Sequence, residues 1–235
     1  MIDGWRIVKD LARALVRRGT PVDVTGLART RPISSRFGLD RGTPIDRHYI
    51  ERFLATNTAM IRGDVIEIGG RAYTQKFGSG VVHSYVLHAT ADNAQATYVG
   101  DLTDVASLPA GIADCFICTQ TLNFIYDVEA AVRGLHHVLR PGGTLLATVA
   151  GISQISRYDM ERWGDYWRFT DASVRRLVGN VFGDDITVQT TGNVAAAVAL
   201  LQGSAVEELP DPGVLDTTDP DYPVVLTMVA RKAAA

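Results

Sequence analysis

Three stretches of the chain carry side chains that could act on a ligand. The first is Asp64-Val65-Ile66-Glu67-Ile68-Gly69-Gly70. It reads as a short strand buried on both faces that breaks at two glycines. A carboxylate at the C-terminal end of such a strand can accept hydrogen bonds from the hydroxyls or ammonium of a nucleoside-like ligand, because the glycine turn lets backbone and ligand approach closely. The plainer alternative is a βα turn with a structural Glu. The second stretch, residues 152–170, holds Arg157, Asp159, Trp163, Tyr166, Trp167 and Arg168. Aromatic rings and arginines at that density suit a pocket wall or lid, in which Asp159 or Tyr166 could take a proton; otherwise the segment is an insertion packed on the core through its aromatics. The third is the run Asp40, Arg41, Asp46, Arg47, His48 around a helix start. It could hold an anionic group or form a local salt-bridge cluster.

Other chemistry-bearing residues point to structure. Cys115 and Cys118 have metal-like spacing, but in a strand residues three apart face opposite sides, and there is no second cysteine pair. Core packing is the expectation. His136 and His137 fall near the end of a helix, His83 and His88 in or just after a strand. Asp211, Asp216, Asp219 and Asp221 share a loop without a metal-ligand pattern.

The elements that must position these groups follow from periodicity. Residues 4–18 carry Trp5, Val8, Leu11 and Leu15 at helical spacing with basic residues between them. Thr43 and Pro44 fit an N-cap and first helical position, opening a helix that buries Ile45, Tyr49, Ile50, Phe53 and Leu54. After Gly70 there is room for at most two helical turns. Strands are expected over 81–87, 96–99, 114–118 and 144–149, with a helix over 127–139 that stops at Pro141-Gly142-Gly143. A helix follows at 171–181 with Thr170 as its cap. A strand at 186–189, an alanine-rich helix at 193–208 and a strand at 222–230 complete the chain, with a loose tail from Arg231. Strand and helix alternate through short connections, so the fold expected is α/β, a doubly wound, mostly parallel sheet of about seven strands. The domain reading is an N-terminal helical extension over residues 1–60 and an α/β domain over 61–235.

The 235 residues are 46% hydrophobic and 21% charged, as for a soluble globular protein, and the net charge of −3 gives no electrostatic reason for nucleic-acid binding. With no secretory leader or bilayer-length apolar run evident, a cytoplasmic location is the expectation.

The ordered set Val65-Ile66-Glu67-Ile68-Gly69-Gly70, Gly100-Asp101-Leu102, Asp114 to Gln120 and Leu139-Arg140-Pro141-Gly142-Gly143-Thr144 resembles the class I S-adenosylmethionine-dependent methyltransferases over roughly residues 62–150. The flanks resemble a bacterial branch associated with glycosyltransferase and cell-surface sugar genes. The resemblance implies S-adenosylmethionine as cofactor, with Glu67, Gly69 and Gly70 against its amino-acid end, Asp101 on the adenine amino group and Leu102 beside the ring. It implies that Thr119, Gln120 and Thr121 line the methyl-transfer site and that Arg41, Gly42, Arg47 and Tyr49 close over the cofactor carboxylate. Arg157, Trp163, Trp167 and Arg168 would meet the acceptor, with Asp159, Tyr166 or His48 as general base.

This sequence departs from that pattern in two places. Ala72 stands where a third glycine is usual, with Arg71 before it, and Tyr85 is the expected equivalent of the acid that holds the ribose. A tyrosine gives one hydrogen bond where a carboxylate gives a bidentate pair. Two functions follow: methylation of a sugar hydroxyl or a related small polar acceptor, or a non-catalytic methyltransferase fold serving a partner such as a glycosyltransferase. A homodimer is a further partner expectation; a nicotinamide-dependent oxidoreductase lacks its G-x-G-x-x-G turn.

Overall fold

The structure is a computed structural model that describes residues 29–234. The helix expected over residues 4–18 lies outside them. Residues from Ile33 onward form one compact unit. Its centre is a sheet of seven strands: β1 (Gly63–Ile68), β2 (Val81–His88), β3 (Tyr98–Val99), β4 (Ala113–Thr119), β5 (Leu139–Ala150), β6 (Ile186–Thr191) and β7 (Val225–Arg231). The order is β3-β2-β1-β4-β5-β7-β6. β1 to β5 pair in parallel, and β7 runs antiparallel to both β5 and β6.

Helices cover both faces, as a parallel sheet requires. On one side α1 (Ile45–Thr56), α2 (Ala72–Phe77) and α6 (Val194–Gln202) share a core with Val65, Cys115, Ile117 and Leu146. On the other, α3 (Val128–Val138) and α5 (Asp171–Phe182) pack on Ile66, Phe116, Cys118 and Leu145. Adjacent strand residues thus alternate between the two cores, and Cys115 and Cys118, both free and fully buried, face opposite ones. A short helix, α4 (Arg157–Met160), sits after β5.

Several elements differ from the sequence reading for definable reasons. Pro44 takes the N-cap position of α1, and Thr43 instead turns its hydroxyl to Glu207 (2.6 Å). The alanine-rich helix stops at Gln202, not 208, because Gly203 adopts φ +68 and ends it in the left-handed region. β5 starts at Leu139, pairing with Ala113 before a register shift. Lys232 is anchored rather than loose: its Nζ donates to the His136 and Leu139 carbonyls (2.9 and 2.7 Å), capping the end of α3. The two-turn limit on α2, the seven strands and the Thr170 cap agree with expectation; Thr170 and Ser173 form a reciprocal capping box. No helix of the described residues is long and apolar enough to cross a membrane.

Candidate active site

β1 delivers its turn to the C-terminal edge of the sheet. Gly69 has φ +74, and its N–H donates to the Leu87 carbonyl (3.0 Å). A Cβ on Gly69 or Gly70 would meet nothing within 4 Å, so open space lies above the turn. Glu67 does not face that space freely. It is buried, and its carboxylate accepts from the N–H and hydroxyl of Thr74 (both 2.8 Å) and the N–H of Tyr73 (3.2 Å). Burial raises its pKa, against the lowering effect of these bonds. Glu67 therefore braces the first turn of α2 against the glycine turn.

A cavity of about 680 Å³ opens over this edge. Gly69 lines it together with His88 from the end of β2, Asp101 and Leu102 after β3, and Gln120 and Thr121 after β4. Asp101 Oδ1 accepts from the N–H and hydroxyl of Thr103 (2.8 and 2.9 Å), which leaves Oδ2 to the cavity. Leu102 is held down by α3: a Cβ on Gly134 would fall 2.1 Å from the Leu102 carbonyl oxygen, so only glycine allows this approach. Tyr85, the expected equivalent of a ribose acid, does not line this cavity. It lies opposite Ile66, inside the strand, with its ring between those of His83 and Tyr98. The residue past the Ile68–Leu87 pairing is His88, which lines the cavity. Its Nδ1 sits 3.0 Å from the Thr90 carbonyl oxygen, and its ring meets Trp163 edge-on.

A second cavity, of about 240 Å³, adjoins the first; Gln120, Phe124 and Asp159 line both. Gln120 adopts φ +48, a strained conformation for a residue with a side chain. It is held there by its N–H to the Thr148 carbonyl (2.8 Å) and by Asn123, whose amide donates to Gln120 Oε1 (3.1 Å). Buried Asn123 also accepts from the Ala150 N–H, and its carbonyl accepts from the Tyr166 N–H (2.9 Å). The turn after β4 and the segment after β5 thus share one hydrogen-bond network. Asn123 was not singled out from sequence.

Residues 152–170 reach across the cleft. Arg168 forks onto both oxygens of Asp165 (2.5 and 2.9 Å) and donates to the Gln154 carbonyl. Burial would raise the Asp165 pKa, but the Arg168 hydrogen bonds, the Ser156 N–H and the Arg168 charge outweigh it and leave the carboxyl below its usual range. Trp167 donates its indole N–H to the Ile125 carbonyl (3.0 Å) and stacks on Tyr126. Trp163 and Tyr166 line the larger cavity, and Arg168 the smaller. Asp159 Oδ2 accepts from the Ser156 hydroxyl (2.5 Å), so Oδ1 is left toward the cavities. Arg157 is exposed and lines neither; Trp167 also lines neither.

Of the groups expected to close over a cofactor carboxylate, Arg41, Gly42 and Tyr49 lie away from the joined cavities. Arg41 pairs with Glu208, and Gly42 lies against Glu207. Tyr49 lines a separate cavity of about 730 Å³ beside β6, and burial pushes its phenol up to about 12. His48 Nε2 is buried and unpartnered among the described residues, and it faces neither joined cavity. Asp46 and Arg47, from the first turn of α1, line the smaller cavity instead. The helix start at Thr43-Pro44 signalled that turn, but not what it would face.

Residues 77–147 match the family described as Methyltransferase domain. The match begins after the glycine turn, where this sequence departs from the usual pattern, and ends within β5. No curated protein matches the chain. Among solved structures, a SAM-dependent methyltransferase from Archaeoglobus fulgidus aligns with TM-score 0.50 and 10% identity over 79% of this chain and 94% of its own. An S-adenosylmethionine-dependent methyltransferase from Mesorhizobium loti gives 0.50 and 15% over 80% and 98%. The cyclase SpnF gives 0.53 and 14% over 88% of each chain. At these identities the likeness is one of fold: the chain has the Rossmann-like fold of class I methyltransferases.

Proposed function

We propose that the chain is an S-adenosylmethionine-dependent methyltransferase that O-methylates a sugar or another small polar acceptor. The observation that carries this reading is the pair of joined cavities at the C-terminal edge of the parallel sheet, with Gln120, Phe124 and Asp159 in both walls. The donor set suits the cofactor. The Gly69–Gly70 turn leaves room for its amino-acid end, Asp101 Oδ2 is free for the adenine amino group, Leu102 flanks the ring, and His88 replaces the ribose acid. When bound, S-adenosylmethionine supplies an electrophilic methyl group on its sulfonium.

The protein's part is alignment and one proton. Gln120, pinned by Thr148 and Asn123, sets the wall where the two ligands meet. Asp159 Oδ1 takes the proton of the acceptor hydroxyl, with Oδ2 steadied by Ser156. Trp163 and Tyr166 keep water from the larger cavity. Tyr73 and Phe124 offer ring faces in the smaller one, whose size admits one ring-sized group. The resemblance of the flanks to a branch associated with sugar genes supports a sugar acceptor.

A second reading is a non-catalytic fold serving a glycosyltransferase or other partner; His88 in the acid's place and Arg71-Ala72 after the glycines favour it. Isothermal titration with S-adenosylhomocysteine separates the two. Micromolar binding, weakened by Asp101→Ala, followed by release of S-adenosylhomocysteine from cofactor plus a panel of monosaccharides, is the expected result. No heat at millimolar ligand would overturn the enzyme reading.

A further inference from the structure

Five charged side chains line the smaller cavity: Asp46, Arg47, Asp159, Asp165 and Arg168. Arg168 and Asp165 cancel each other, since the guanidinium occupies both carboxylate oxygens and the Ser156 N–H adds a third bond. Asp46 and Asp159 differ from Asp165. Asp46 Oδ1 accepts only the neighbouring Arg47 N–H (2.8 Å), and Asp159 Oδ2 only protein donors at Ser156. Among the described residues, no cation lies within ion-pair distance of either carboxylate. Arg47 also lines the cavity; it is exposed, and its charge acts on Asp46 without forming an ion pair with it. The cavity therefore presents two carboxylates, each with one oxygen free, beside the apolar surfaces of Phe37, Ile50, Tyr73 and Phe124.

The two carboxylates are not equivalent in position. Asp159 lines both cavities, so it stands at their junction, whereas Asp46 lines the acceptor cavity alone. A ligand in the smaller cavity would meet Asp159 where the two cavities join and Asp46 on wall that the larger cavity does not share.

Building on the methyltransferase reading, we infer that the acceptor is a ring-sized polyol bearing an amine, with its ammonium held by Asp46 and the hydroxyl to be methylated facing Asp159. For a carboxylate that faces a cavity without an ion-pair partner, a ligand ammonium is the strongest complement; a neutral hydroxyl is a weaker one, and a ligand carboxylate adds repulsion. Burial raises the Asp46 pKa, against the lowering effect of the Arg47 N–H and the Arg47 charge. The apolar wall suits the face of a saturated ring.

The test uses the full chain saturated with S-adenosylhomocysteine and three probes: D-glucose, and D-glucosamine and D-glucuronate, each of which differs from glucose at one carbon. Titration followed by calorimetry or by protein NMR shifts reads their affinities at pH 7. Glucosamine is expected to bind about ten-fold tighter than glucose, with glucuronate the weakest. Asp46→Asn should erase the preference for glucosamine over glucose and leave S-adenosylhomocysteine affinity unchanged, and Asp46→Glu should restore part of it. Equal affinities, no binding by any probe, or a preference for glucuronate would overturn the inference while the cofactor result stands. Failure of S-adenosylhomocysteine to bind the unmodified chain is the separate failure of the underlying reading.

Discussion

The floor of the cleft and the segment that covers it treat their polar groups in opposite ways. Over the Gly69–Gly70 turn the backbone is open, and Asp101 keeps one oxygen unused. In the segment 152–170, Arg168, Asp165, Ser156 and Trp167 donate to or accept from one another and from the turn after β4. A polar group whose partners lie within the protein does structural work; one left open beside a cavity is available to a ligand. By that criterion Asp165, Arg168 and Trp167 have their polar groups engaged within the protein, although Trp167 and Arg168 were expected to meet the acceptor, whereas Asp46 and Asp159 each keep an oxygen without a protein partner.

That contrast can be broken most sharply at Arg168. Arg168→Ala should strand the buried Asp165 carboxylate and cost about 3–5 kcal/mol in urea unfolding at neutral pH. Asp165 has a depressed folded-state pKa, so its contribution is present above its ordinary unfolded value and is lost as pH falls through the folded one. The variant should therefore lose less stability than the parent on acidification below about pH 4. A cost under about 1 kcal/mol would mean that the lid is held by other contacts.

Glycines sharpen the same comparison. Gly203→Ala would place a Cβ 2.2 Å from the Ser34 carbonyl oxygen at φ +68, and about 2–3 kcal/mol of destabilisation is expected, with S-adenosylhomocysteine binding retained by the folded fraction. Gly70→Val meets no protein atom within 4 Å of the Cβ position. It should leave stability within about 0.5 kcal/mol and weaken S-adenosylhomocysteine about ten-fold or more. If calorimetry finds Gly70→Val binding normally, the open turn is not a ligand surface.

Smaller effects test single groups. Asp101→Ala should reduce S-adenosylhomocysteine affinity about ten-fold by titration, since it removes the hydrogen-bond acceptor proposed for the adenine amino group and loosens the Thr103 turn. Thr170→Ala should lower stability by about 1 kcal/mol through the lost capping box, with no change in cofactor affinity.

Local signals accounted for much of the framework. Strand periods, the Thr170 cap and the short space after Gly70 follow from nearest-neighbour physics, and the sheet appeared where those signals placed it. The errors also have local causes. Thr43 looked like a cap because its only visible partners were in sequence, whereas Glu207 was 164 positions away. Tyr85 is the expected equivalent of the ribose acid, but the pairing with β1 runs on to Leu87 and that with β3 to His88, which leaves Tyr85 inside the strand.

By itself the sequence determined the alternating α/β pattern, the glycine break after Glu67 and the residues Asp101 and Gln120 at strand ends, because each depends on backbone preference or burial within a few residues. Only the tertiary structure decided which carboxylates are free. Glu67 is consumed by the first turn of α2, Asp165 by Arg168, while Asp46 and Asp159, over a hundred positions apart, face one cavity. Hydrogen-bond partners at such separations are set by how helices and loops pack on the sheet, and no local preference encodes them.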